Sequence, residues 1–386
     1  MGLPPWAVPA GFASVAGLFV LLAFTLKSPN SFHKEISVAF VGNSMQYYND
    51  LPRLMEALSG GQIHQNSCLH GDATIVNLLN TGNGMYKKFR TGSAILETND
   101  DGSKIYDFGA CTVHQLVFGY DSQLYDDRNY NDDDNDNDHY NDGTNPCYED
   151  PNYLEYSVAY FEENPPTWDF IVINDNTRSP AKNSTRQESL ETLESTYVTW
   201  FNKSGAIPVF LDTHAYWTDW RDMTGLEDVP TFTSYVYEGY LQYADLLGSY
   251  LPQDQQPRIA PVGVAFLTVW EENYAMWTKL FHIDEVHASP SGTFVQGCVL
   301  HYTLFGRMPR KTDAIRDNMS FLWREARRMQ PQTHRRNPFP TRSEAEYLYR
   351  VVERVVKEGH KPSSLILFQN GEAAPDEADD DNVSDR

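Results

Sequence analysis

The sequence predicts an α/β layered domain, and three observations carry that expectation. Short apolar runs end on small or polar residues, longer helix-compatible segments separate them, and 386 residues with 41% hydrophobic and 13% aromatic content can bury one large core. Alternation of apolar strand and longer helix is the pattern of a parallel sheet covered on both faces. Ile36 to Val41 reads as the first buried strand, with "DLPRLMEAL", residues 50 to 58, as the helix after it. "WDFIVIN", residues 168 to 174, is a second β-prone run, followed by a helix from about Glu188 to Phe201. "GAIPVFLDTH", residues 205 to 214, gives a third strand, and "YVYEGYLQYADLLGSYL", residues 235 to 251, the next helix. "PRIAPVGVAF", residues 257 to 266, reads as a short strand or extended segment with two prolines. In "TRSEAEYLYRVVERVVKEG", residues 341 to 359, Thr341 and Glu344 have capping-box spacing. Ala345, Leu348, Tyr349, Val352, Val355 and Val356 form one stripe there, and Gly359 closes an amphipathic helix. There is no internal repeat of the kind that marks a solenoid.

Net charge is −23 with a pI of about 4.7, which argues against binding nucleic acid or anionic lipid through a general basic face. Many of the acids lie in residues 125 to 142 and 371 to 386, which read as solvated segments with too little apolar surface to fold. The first 26 residues carry no charged side chain, and Phe12 to Leu26 is an apolar run that stops against Lys27. Such a leader is either a secretory signal or a membrane anchor; a basic n-region and a clean cleavage site are both missing. Sequons at Asn183, Asn202, Asn318 and Asn382 fit passage through a secretory lumen. Cys68, Cys111, Cys147 and Cys298 allow up to two disulfides in three pairings, with Cys298 also readable as a buried thiol. The expected organisation is a leader over 1–30, a domain over 31–310 carrying an Asp/Asn-rich insertion at 121–150, a helical extension over 311–366 and an acidic disordered tail over 367–386.

Chemistry concentrates at strand ends, where ligands collect in parallel sheets. Ser44, Asn174 and Asp212 all sit at that end of their strands. In "AFVGNSMQYYNDLP", residues 39 to 52, Gly42, Asn43 and Ser44 are ordinary turn and cap residues, or Ser44 is a nucleophile at a strand terminus. The second reading needs a base. "FHIDEVHASPSGTF" places Asp284 and His287 three apart, so that on one helical turn Asp284 orients an imidazole whose other nitrogen faces outward. His287 would then take the Ser44 proton while Asp284 fixes the tautomer. Alone, a D-x-x-H pair is commonly structural.

Taken in order, these segments resemble the SGNH (GDSL-like) hydrolase superfamily over roughly residues 36 to 310, in the branch whose first block reads G-N-S. The resemblance implies a three-layer α/β/α sandwich with a mostly parallel sheet, flavodoxin-like in plan, and no cofactor or metal. It places the nucleophile on Ser44 and the acid-base pair on Asp284 and His287. It places an oxyanion hole on Ser44, on Gly71 of "LHGDATIVNLL", and on Asn174 of "VINDNT", with Asn176 as the alternative. Three departures stand out: Asn43 replaces the family's Asp, the third block lacks G-x-N-D, and the Asp72 carboxylate adjoins the expected oxyanion site. The implied activity is a serine esterase acting on acyl esters, acetyl above all, of a glycan or lipid in the secretory pathway. O-acyl transfer by the same residues is the alternative. A different class of reading is a non-catalytic luminal glycan-binding protein using the aromatics of "HAYWTDW", residues 214 to 220. An α/β-hydrolase elbow is excluded because Gln46 stands where G-x-S-x-G needs its second Gly. His282, Asp284 and His287 lack H-E-x-x-H spacing for zinc, and Tyr140 breaks an EF-hand pattern before Gly143. His214 either lines the cleft or belongs to a capped turn.

Overall fold

Strand β1 (Ile36–Gly42) buries its last five residues in succession, which requires cover on both faces of the sheet. The computed structural model describes residues 35–84, 95–98, 104–106, 109–121, 151–217, 226, 228–311 and 340–370. The apolar leader, Asn318, Asn382, nearly all of the Asp/Asn-rich insertion and the acidic tail beyond 370 lie outside the described residues. The fold below is that of the unit that begins at Ile36.

Four further strands join β1: β2 (Ile63–Leu69), β3 (Phe170–Ile173), β4 (Ile207–Asp212) and β5 (Arg258–Pro261). They form one parallel sheet in the order β2-β1-β3-β4-β5. Strand order reverses between β1 and β3, which opens a crevice at their carboxyl ends. The pleat sends alternate residues to opposite layers. Val38, Phe40, Val172, Val209 and Leu211 pack under α1 (Leu51–Leu58), α6 (Val262–Glu272), α7 (Pro290–Phe305) and α8 (Arg342–Glu358). Ala39, Val41, Ile171, Ile173 and Phe210 face the other side. There they meet α4 (Val198–Ser204), which continues α3 (Asn183–Thr192) through a π-helical turn at Leu193–Tyr197, and the long α5 (Val229–Tyr250). The result is the three-layer α/β/α sandwich. An earlier helix, α2 (Pro151–Glu163), an antiparallel hairpin of Ile95–Thr98 with Lys104–Tyr106, and several short helices such as Val113–Phe118 and Ser363–Gln369 are also among the described elements.

Several details correct the sequence-based expectations. β2 was not expected, because His64, Gln65, Asn66 and Ser67 interrupt its apolar character. It is an edge strand whose Gln65, Asn66 and Ser67 are nonetheless buried, and Ala110 N–H donates to Ser67 O at 2.9 Å along its flank. "PRIAPVGVAF" is half strand and half helix, the change falling between Pro261 and Val262. α8 has the capping box, with Thr341 and Glu344 bonded reciprocally. Its Ala345, Leu348 and Val352 belong to the same core as β1, so the domain does not stop at 310. α7 is buried nearly throughout, starts at a Ser289 cap followed by Pro290, and ends at a left-handed Gly306. α1 lies against it closely: a Cβ on Gly297 would stand 2.8 Å from Leu58 Cδ1. Cys111 is disulfide-bonded while Cys68 and Cys298 are free buried thiols, so two disulfides are ruled out. Cys147 lies outside the described residues. Among the described residues no helix is long and apolar enough to cross a membrane.

Candidate active site

Where β1 ends, Gly42 has φ +152°, and a Cβ there would fall 2.0 Å from Asn174 Oδ1. Only glycine admits that approach, and the approach locks the next residues. Asn43 caps the one-turn helix Ser44–Tyr47, its Oδ1 accepting from Met45 N–H at 3.1 Å. Its Nδ2 donates to Ala73 O at 2.8 Å. An aspartate could not make that second bond, which gives the Asn at this position a physical reason. Gln46, fully buried, donates to Val41 O at 2.8 Å and to Asn174 Oδ1 at 2.7 Å. Ser44 is thereby held half-buried at the start of a helical turn, directly off the strand.

The base arrives from a different structure than a helical turn. Residues 281–288 form a loop closed by a Phe281–Ala288 bridge, with His282 N–H donating to His287 O at 2.8 Å and Glu285 in the left-handed region at φ +62°. Asp284 organises it, since Oδ1 accepts the Val286 and His287 N–H groups at 3.0 and 2.9 Å. Oδ2 bonds His287 Nδ1 at 2.8 Å and His282 Nδ1 at 2.9 Å. His287 Nε2 then lies 2.8 Å from Ser44 Oγ. Burial alone would raise the Asp284 pKa, but the hydrogen bonds from His282 and His287 outweigh it and hold the carboxyl well below the ordinary range. It is therefore an anion at any working pH. His214 is not a cleft residue: buried, stacked on Phe266 at 4.3 Å, it meets Val286 O through Nε2 at 3.0 Å. Burial pushes its pKa down to about 4, so it braces the loop as a neutral ring.

The three residues after β3 divide their work. Asn174 does not reach the cleft. Its Oδ1 accepts from Asn43 N–H at 3.2 Å as well as from Gln46, and both amide hydrogens are spent, on Asn43 Oδ1 at 2.7 Å and Asp175 O at 2.9 Å. Asp175 is fully buried and accepts from Ile75 N–H, Asn176 N–H, Ser189 Oγ and Tyr243 Oη at 2.6 to 3.1 Å. Burial raises its pKa despite those donors. Asn176 is the member that lines the cleft, beside Ser44, Gly71 and His287. Its Nδ2 donates to Asp72 Oδ1 at 2.8 Å. Of the two asparagines the sequence offers, Asn176 is the one at the cleft, where its Nδ2 also lies 3.4 Å from Asp72 O. Neither the Ser44 nor the Gly71 N–H has an acceptor among the described residues.

Two tyrosines at the site escaped sequence reasoning, although their spacing from Ser44 was the available signal. Tyr48 stacks face to face on His287, with centroids 3.7 Å apart and planes within 1°, and its hydroxyl lies 3.4 Å from Asp284 Oδ2. The Tyr47 hydroxyl is in hydrogen-bonding reach of Ser44 and 3.0 Å from where a Gly71 Cβ would lie. Burial raises its pKa to about 12, so it remains a protonated donor.

The cleft has a volume of about 390 Å³. Of the aromatics expected as a sugar platform, Tyr216 borders it, Trp217 packs on Trp277 and Phe281, and Trp220 is outside the described residues. Among the described residues no group of His, Cys, Asp and Glu is arranged to hold a metal ion. No protein-family model, curated protein or solved structure gives a significant match to the chain.

Proposed function

We propose that the protein is a serine esterase of the SGNH type, in which Ser44 attacks the carbonyl carbon of an acyl ester. One observation carries the reading: an unbroken chain from Ser44 Oγ to His287 Nε2 at 2.8 Å and from His287 Nδ1 to Asp284 Oδ2 at 2.8 Å. As the Oγ–carbon bond forms, the Ser44 proton passes to His287 Nε2, and the anionic Asp284 stabilises the resulting imidazolium. The carbonyl oxygen becomes an oxyanion facing the Ser44 and Gly71 N–H groups, with the Asn176 amide as the side-chain donor. Loss of one such donor costs about 3 to 4 kcal/mol of transition-state stabilisation. Collapse of the intermediate expels the alcohol, which takes the proton from His287. Water then repeats the sequence on the acyl-serine. The cleft opens to solvent at Asp72, which gives water access to the acyl-serine.

The secretory setting is part of the same proposal. Asn183 and Asn202 are both exposed, as glycan acceptors must be, and the Cys111 disulfide suits an oxidising compartment.

A fluorophosphonate probe tests the proposal on purified protein. The parent is expected to label, Ser44→Ala not at all, and His287→Ala about a thousandfold more slowly or worse. A folded parent that neither labels nor hydrolyses small acetyl esters removes the esterase reading and leaves a glycan-binding cleft as the one to pursue.

A further inference from the structure

Tyr47 follows Ser44 by three residues on one helical turn, so the two side chains leave the same side of it. Both line the cleft together with Gly71. The Tyr47 ring is buried and stacks on Tyr48 with centroids 5.8 Å apart. Its hydroxyl is hydrogen-bonded to Ser44 and stands 3.0 Å from where a Cβ on Gly71 would lie. Among the described residues beyond its chain neighbours, no other atom comes within 4 Å of that position. The Gly71 backbone is not in the left-handed region, so it is the Tyr47 hydroxyl that disfavours a side chain there. The direction of the bond to Ser44 follows from the protons available. Asp284 is an anion that accepts from His287 Nδ1 at 2.8 Å, which leaves Nε2 of the neutral ring as an acceptor for Ser44 Oγ–H, also at 2.8 Å. Ser44 has one hydroxyl hydrogen, so Tyr47 Oη donates and Ser44 Oγ accepts. Burial pushes the Tyr47 pKa up to about 12, and the phenol keeps its hydrogen.

We infer that Tyr47 is a catalytic residue whose hydrogen bond passes from Ser44 Oγ to the carbonyl oxygen during attack, making it a second side-chain donor to the oxyanion. The inference rests on the esterase reading and adds a donor to it. As the Oγ–carbon bond forms, the Ser44 proton goes to His287 Nε2 and the carbonyl π pair goes to oxygen. Oγ becomes an ester-like oxygen and a poorer acceptor. The carbonyl oxygen meanwhile becomes an anion beside the Gly71 N–H, where the Tyr47 hydroxyl already stands. Turning the O–H is enough to follow the charge, and Tyr47 gives up no proton. Hydrogen bonds to an ionised oxygen are roughly twice as strong as neutral ones, so the exchange stabilises the transition state more than the bound substrate. Asn176 Nδ2 is engaged by Asp72 Oδ1 at 2.8 Å, and a donor released by the nucleophile itself complements it.

Tyr47→Phe removes the hydroxyl and keeps the stacked ring. With para-nitrophenyl acetate, its kcat should fall about a hundredfold while KM stays within about threefold, because the lost bond belongs to the transition state. Trifluoroacetone separates the oxyanion from the nucleophile. It forms a hemiketal on an activated serine with an oxyanion in the same place, so its Ki should rise by the factor by which kcat falls. A lowered kcat with an unchanged Ki would confine Tyr47 to Ser44 Oγ and overturn the inference. Gly71→Ala is a second route that leaves Tyr47 in place: it keeps the N–H, presses its methyl on the hydroxyl, and should lower kcat and raise Ki together by about tenfold. In the Tyr47→Phe background the same alanine should cost less than about threefold, and additive losses would overturn the inference. A parent that labels with fluorophosphonate, beside a Phe variant that matches it in kcat, overturns the inference and leaves the esterase reading standing. A folded parent that neither labels nor hydrolyses the acetate overturns both.

Discussion

Tyr48 closes the turn that begins at Ser44, its N–H donating to Ser44 O at 3.0 Å, so the ring covering His287 rides on the same turn as the hydroxyl that lies 2.8 Å from His287 Nε2. Stacking on a phenol limits the tilt of the imidazole plane and attracts positive charge that develops on the ring during attack, by roughly 0.5 to 2 kcal/mol. Tyr48→Leu should therefore slow fluorophosphonate labelling about tenfold, while Tyr48→Phe, which keeps the ring and loses the 3.4 Å contact to Asp284, should stay within about threefold. Second-order labelling rates decide it, and a Leu variant as fast as the parent would remove this role. His282 complements Tyr48 from the buried side, since it shares Asp284 Oδ2 with His287. With two imidazoles and two backbone N–H groups, the carboxylate is fixed by more than the base it orients.

At the scale of elements, the segment after β3 separates scaffolding from chemistry by a two-residue step. Asn174→Ala would strand the Asn43 N–H and the buried Gln46 amide, costing about 1 to 3 kcal/mol of stability, and its effect should appear first in thermal melts. Asn176→Ala, on a half-buried residue at the cleft, should leave the melting temperature close to the parent's and slow acetyl-ester hydrolysis about a hundredfold. If the two variants exchange these phenotypes, the placement of the amide donor is wrong. Much of this element was legible in the sequence: "WDFIVIN" is an unambiguous buried strand, and polar residues at its end mark a site. The choice between Asn174 and Asn176 was not, because it depends on Gly42, Asn43 and Gln46, roughly 130 residues away along the chain. The same limit applies at Asp284 and His287. Their spacing identified the pair, yet the loop that aligns them is set by the Phe281–Ala288 bridge and a left-handed Glu285 rather than by helical periodicity. β2 was hidden for another reason, since Gln65, Asn66 and Ser67 are polar yet buried and leave no hydrophobic period in it.

Across the whole molecule, Asp212 couples stability to pH. It ends β4, is fully buried, and neither carboxyl oxygen makes a well-formed hydrogen bond. Burial pushes its pKa well above the ordinary range, and the Gly263 and Val264 N–H groups at the start of α6 relieve only part of that cost. The folded state thus keeps a proton that the unfolded chain releases near pH 4. Stability from this group falls as pH rises through about 4 toward the folded pKa, and is level above it. Asp212→Asn should be nearly neutral at pH 4 and more stable than the parent by about 1 to 3 kcal/mol at pH 7.5. Melting curves at both values test this. The net charge of −23 adds self-repulsion at the higher pH to parent and variant nearly alike, so it largely cancels from their difference. The bond between Ser44 and His287 spans 243 positions of the chain, which turns the labelling reaction into a clock for biosynthesis. A nascent polypeptide that has not yet produced His287 lacks its base and cannot attack any ester by the proposed route, however well its amino-terminal half has folded. Pulse-labelled chains should gain probe reactivity in one late step, after the sheet and the loop at 281–288 have come together.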